Sequence, residues 1–184
     1  RDQCQKVADV DEQAALDSVD HAPASELLSA PIAGPKTKAK KKNSKVIVLD
    51  IGHGKDTFPA NGKGVFKNGK GYAEFSFNND LGKKTKKLLE HNGFTVIMAQ
   101  PFDSNDVDLT TRTNYYDSKK PDLGLSQHAN AGNSAVKGRC AFYWFTSKQG
   151  KSFAESIVKN MKAKGYSSHG VGLHASRWGE WTNL

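Results

Sequence analysis

Lys45–Gly54 reads KVIVLDIGHG. Val46 to Asp50 form an apolar, β-branched run that closes on an acid, the composition of a buried strand. The run breaks at Gly52-His53-Gly54, where two glycines let the backbone turn tightly around one imidazole. Open α/β sheets place their chemistry at the carboxyl ends of strands, so His53 is a candidate functional residue. Alone it reads equally well as a polar turn residue. Glu74 and the stretch Ser126–Ala131, SQHANA, shift that balance.

Downstream, Lys55–Gly71 is rich in Gly, Lys and Asn and reads as one long loop, a length that usually serves function or motion. Tyr72–His91 turns helical, with Phe77, Leu81, Leu88 and Leu89 assigned to the apolar face and Asn92-Gly93 as the stop. Phe94–Ala99 reads as a strand, Asp108–Lys119 as a helix capped by Asp108, and Leu123–Gln127 as a strand running into His128. Arg139–Phe145 is an aromatic-rich strand, and Lys151–Lys164 a helix with Phe153, Ile157, Val158 and Met161 at core spacing. The last twenty residues show no clear period. Strands alternating with helices imply an α/β fold with a mainly parallel, mixed sheet flanked by helices.

Upstream the character changes. Residues 1–35 carry −5 and residues 36–44 carry +5, so residues 45–184 account for the whole net charge of +8. The Ala, Pro, Ser and Lys mixture before residue 45 buries too little to order itself, so 1–44 reads as an acidic tail and linker, with a short helix near Val7–Leu16. The expected globular domain is 45–184. Its basic balance suits a polyanion such as an anionic wall polymer; without a helix-turn-helix, RNA-recognition or zinc-finger pattern, no nucleic-acid partner is expected. No apolar run approaches the ~20 residues of a membrane span. Two cysteines, Cys4 and Cys140, make neither a disulfide framework nor a CxxC metal site.

His53 follows the first strand, Glu74 opens a helix and His128 follows the third strand, so a parallel sheet can bring all three to one edge. Two imidazoles and a carboxylate, with a fourth position left to water, form a catalytic zinc set. Glu74 taken singly could merely favour its helix dipole.

The order LDIGHG, a glycine-rich loop, a Glu opening a helix, HNGFTVIMAQ, DLTTR and LSQHANA resembles the zinc-dependent N-acetylmuramoyl-L-alanine amidases of the amidase type 3 fold. The usual forms are LDPGHGG and SIHANA, so Ile51 stands for a proline and Gln127 for an isoleucine. The resemblance implies one Zn2+ held by His53, Glu74 and His128, and cleavage of the amide between the lactyl group of N-acetylmuramic acid and L-alanine in peptidoglycan. It implies substrate contacts at Asn130 and His174, and places Arg112 at the family's L-x-x-R arginine, as a holder of helix and loop or a substrate contact. Such a centre would also accept cobalt or nickel.

The family's general base is a glutamate on a last strand, in a segment like P-x-x-L-V-E-x-G-F that this sequence lacks. The domain therefore reads as C-terminally truncated, with Glu180 the acid expected to stand in, Glu155 a remoter one, and His169 a loop residue. Three expectations follow: an amidase whose last strand was removed, an impaired module that binds cell wall, or a piece of a larger phage or wall-hydrolase assembly. All put the protein outside the cell, at the wall or on a virion.

Overall fold

A computed structural model describes Lys42, residues 44–129 and residues 138–177. The expected tail, its Val7–Leu16 helix, Asn130 and Glu180 lie outside the described residues. The described residues fall into two compact units, one ending at Ala129 and the other comprising residues 138–177.

In the first unit, β1 (Val46–Ile51) lies between β4 (Thr95–Ile97) and β5 (Leu123–Gln127), parallel to both. Val46 alone of the β1 residues is not buried, which explains the unbroken apolar run: a strand covered on both faces has no polar side to alternate with. Its register sets Asp50 opposite Ser126 and Ile51 opposite Gln127, so β1 and β5 end flush. Gly52 N extends the pairing by donating to Gln127 O at 2.8 Å.

The stretch expected as a long loop contains a hairpin, β2 (Gly64–Lys67) and β3 (Lys70–Ala73), antiparallel. Asn68 and Gly69 turn it with φ of 52° and 74°, the pair of left-handed residues of a type I′ turn, whose twist matches that of the strands. The Asn-Gly dipeptide between VFK and KGY was its signal in the sequence.

The helix α1 (Glu74–His91) buries Phe75, Asn78, Asn79 and Gly82, a spacing of i, i+3, i+4 and i+7. This corrects the expected face, since Phe77 and Leu88 are each about half exposed, at 49% and 48%. Beyond Phe75 the inward positions are polar or small, because they bond to loops or let the helix come close to β1. Asn79 exchanges hydrogen bonds with Asp103, Nδ2 to Oδ1 at 2.9 Å and Oδ1 from Asp103 N at 3.0 Å. Gly82 lies where a Cβ would strike Ile51 Cγ2, so the helix approaches β1 closely. Hydrophobic counting cannot see a buried face built this way.

Helix α2 (Leu109–Lys119) begins as expected, with the Asp108 carboxylate accepting from Thr111 N at 3.1 Å. Before it, fully buried Gln100 staples the loop, donating to Ser104 Oγ and Asn105 O, both at 3.0 Å, and accepting from Val107 N at 2.7 Å.

The second unit holds β6 (Arg139–Trp144), α3 (Lys148–Ala163) and β7 (Ser168–Ser176), with β6 and β7 parallel. Ser147 caps α3 by accepting from Gly150 N at 2.9 Å, so the helix starts at Lys148, three residues before the expected start. Ala154 is buried, with Phe153, Ile157, Val158 and Met161 half-buried beside it as the spacing predicts. The stretch without a clear period contains β7. Gly170 and Gly172, at φ of 52° and 75°, break its alternation and hid it.

Candidate metal centre

Three segments converge where β1 and β5 end. His53 sits in the turn after β1, Glu74 is the first residue of α1 and His128 follows β5 directly. One donor atom from each lies within 4.8 Å of the others, the one such group among the described residues. Glu74 faces both rings, its Oε2 3.2 Å from His53 Nε2 and its Oε1 3.1 Å from His128 Nδ1. The rings stand edge to face, 5.0 Å between centroids and 86° apart in plane.

Glu74 is held from behind. Glu74 Oε1 accepts from Ala129 N at 2.9 Å and from Asn78 Nδ2 at 3.1 Å, and the same Asn78 amide donates to Gly52 O at 3.0 Å. Asn78, one turn after Glu74 on α1, is thus a site residue that sequence reasoning missed. Burial pushes the Glu74 carboxyl upward, but hydrogen bonds from His128, His53 and Asn78 outweigh it and hold it well below the usual carboxylate range. Glu74 is an anion at neutral pH.

His53 has φ of 66°, a left-handed conformation costly for a side chain with a Cβ. The flanking glycines make room. A Cβ on Gly52 would overlap the His128 ring, and one on Gly54 would overlap the backbone of Asn105 and Asp106. The motif Gly52-His53-Gly54 is therefore a packing requirement as well as a turn.

Behind the turn, buried Asp50 takes four hydrogen bonds. Arg112 Nη1 donates to Oδ1 at 2.9 Å and Oδ2 at 3.0 Å, Tyr116 Oη to Oδ1 at 2.8 Å and Ser126 Oγ to Oδ2 at 3.0 Å. Tyr116 Oη also accepts from Ala99 N at 3.0 Å. Burial pushes the Tyr116 hydroxyl upward, and the adjacent Asp50 charge adds to that. One carboxylate thus ties β1, β5 and α2 together, with Asp50 three residues before His53 and its partner Ser126 two before His128. An acid closing an apolar run was its sequence signal. Arg112 is 6% exposed, and its bonds to Asp50 join α2 to β1.

The remaining described candidates belong to the second unit. In the second unit, His174 stacks on Phe142, 5.1 Å between centroids, and its Nε2 is buried without a hydrogen-bond partner among the described residues. His169 lies 6.4 Å from it, ring to ring. Glu155 is exposed, with Lys151 at 3.8 Å.

The donor chemistry fits a zinc ion: two imidazole nitrogens and one ionised carboxylate, partly exposed on the order of a fifth of each side chain. A parallel sheet with that set at its carboxyl edge is a layout used by hydrolytic metal centres. Residues 47–182 match the N-acetylmuramoyl-L-alanine amidase family (Amidase_3), and the chain belongs to that family. The fold is similar to solved amidases. Ami1 of Mycobacterium smegmatis matches at 20% identity and TM-score 0.60, over 74% of this chain and 75% of that one. AmiC2 of Nostoc punctiforme matches at 23% identity and TM-score 0.57, over 74% and 71%. The apo form of Ami1 from Mycobacterium abscessus matches at 20% identity and TM-score 0.55, over 72% and 74%. No curated protein sequence matches.

Proposed function

We propose that this chain hydrolyses the amide between the lactyl group of N-acetylmuramic acid and L-alanine in peptidoglycan, with one zinc ion held by His53, Glu74 and His128. The observation that carries the reading is the convergence of those three donor atoms within 4.8 Å on a scaffold that leaves each side chain partly exposed. The chemistry a bound zinc supplies is polarisation of the scissile carbonyl and acidification of water toward a pKa of ~7. The chain's own residues orient and charge the site. Ala129 N and Asn78 Nδ2 fix Glu74 Oε1, so the carboxylate cannot swing away from the rings. Its lowered pKa keeps the negative charge that balances a divalent cation. The Asp50 node fixes the ends of β1 and β5, and with them the spacing of the imidazoles.

On this reading the protein works at the cell wall, where its excess of lysine suits anionic polymers. The test is dye release from labelled peptidoglycan with zinc measured on the same sample. Zinc near one per chain, with release that a chelator abolishes and His53→Ala loses, is the expected outcome. Zinc without release would make the chain a non-catalytic wall-binding module. Absence of zinc would overturn the ligand assignment.

A further inference from the structure

Residues 138–177 hold seven lysines and arginines against one acid, Glu155, and so carry +6 of the chain's net +8. Four of the seven are Lys148, Lys151, Lys159 and Lys162 on α3. Steps of three, eight and three residues return to one side of a helix, so the four make a single stripe about 21 Å long. All four are exposed, on an edge turned away from Ala154, Ile157 and Met161. Helix α1 treats its lysines differently. Lys83 pairs with Asp103 at 2.7 Å, Lys84 with Asp80 at 2.6 Å and Lys86 with Glu90. On α3 the one ion pair among the described residues is Lys151 with Glu155, at 3.8 Å and with both side chains half exposed. Lys148 stands three residues from Lys151 and Lys159 three from Lys162, a spacing at which like charges repel. A bound anion would relieve that repulsion.

The chemistry of this edge narrows the partner. A lysine is a point charge on a flexible stem, suited to phosphate, and unlike an arginine fork it fixes no orientation on its anion. The other exposed residues of α3 are Gln149, Ser152, Glu155, Ser156, Asn160 and Ala163. They offer no aromatic ring for a base to stack on and no large apolar side chain to enter a bilayer. We infer that the Lys148–Lys151–Lys159–Lys162 edge of α3 binds a flexible chain of phosphodiester-linked units, the chemistry of an anionic wall polymer. The wall setting rests on the amidase reading; the binding itself does not.

The experiment titrates the full chain against fluorescently labelled poly(glycerol phosphate), reading anisotropy from ~0.05 to ~0.5 M salt. The test variant is Lys148→Gln/Lys151→Gln/Lys159→Gln/Lys162→Gln. The control, Lys83→Gln/Lys84→Gln/Lys86→Gln/Lys87→Gln, removes the same charge from α1. Four lost phosphate contacts should flatten the slope of log affinity against log salt by about 3 and weaken binding on the order of 100-fold at ~0.1 M salt. The control should keep the parent's slope to within about one, since three of its lysines are already paired. Glutamine is nearly as good a helix former as lysine and the substitutions remove a repulsion, so the thermal midpoint of the α3 variant should not fall. That separates lost binding from lost fold.

Equal slopes for the parent and the α3 variant would overturn the proposal, as would an equal loss in the α1 control. Tighter binding of a single-stranded oligonucleotide with the same number of phosphates would overturn it in favour of nucleic acid. Tighter binding to phosphatidylglycerol vesicles would overturn it in favour of a membrane. Polymer binding that depends on the α3 lysines, without amide release from peptidoglycan, would sink the amidase reading and leave this edge standing. Amide release without polymer binding would do the reverse.

Discussion

Replacing Gly52 by Ala tests whether the site geometry is as tight as it looks. The backbone at Gly52 is not left-handed, so Ala brings no conformational penalty there and acts through its methyl group alone. That methyl would lie 2.8 Å from His128 Nε2 and nearer still to Cε1 and Nδ1, whereas ordinary contact begins at 3.4 Å. The ring must therefore retreat by about 1 Å, or turn away from Glu74, and overpacking of this kind costs about 1–3 kcal/mol. A displacement of ~1 Å at a reacting centre costs on the order of 100-fold, so both zinc affinity and amide release should fall by about that factor. Affinity is measured by competition with a chromophoric chelator, and activity by dye release. Gly124→Ala is the control, since its methyl meets only Val48 Cβ at 3.9 Å and should leave both quantities within about twofold. If Gly52→Ala bound zinc like the parent, His128 would not occupy the position argued for it.

Asp50→Ala strands the buried Arg112 guanidinium, and urea unfolding should show a loss of about 3–5 kcal/mol. Gly69→Ala meets no steric obstacle but forces a side chain to φ of 74°, and should cost about 1–2 kcal/mol by the same assay. Alkaline titration offers a further check. The folded pKa of Tyr116 lies above its unfolded value of about 10, so unfolding releases a proton and stability falls as pH rises past about 10. Tyr116→Phe should remove that component of the decline and the last phenolate step in the ultraviolet titration.

Much of the first unit was legible because its signals are local and strong. The apolar run at Val46–Ile51 could only be a strand with both faces covered, and Asp108 marked the start of α2. The spacing of His53, Glu74 and His128 around one sheet edge followed from the alternation of strands and helices. What stayed hidden is non-local or polar. The β2–β3 hairpin was masked by its glycines, although Asn68-Gly69 carried the turn chemistry. The buried face of α1 was missed because Asn78, Asn79 and Gly82 face inward for hydrogen bonding and close approach. Asp50 looked like the end of a strand, since its partners Arg112, Tyr116 and Ser126 lie at least 62 residues away. The strand β7 was obscured by glycines that interrupt its alternation.

The pairing of Asp50 with Ser126, 76 residues apart, has a kinetic consequence. Parallel strands at that separation cannot meet until the intervening hairpin, helices and β4 have been gathered in, and such distant pairings form slowly. His53 and His128 close on Glu74 only at the end of that assembly. The appearance of metal affinity during refolding should thus lag helix formation, making the centre a clock for the last step of folding.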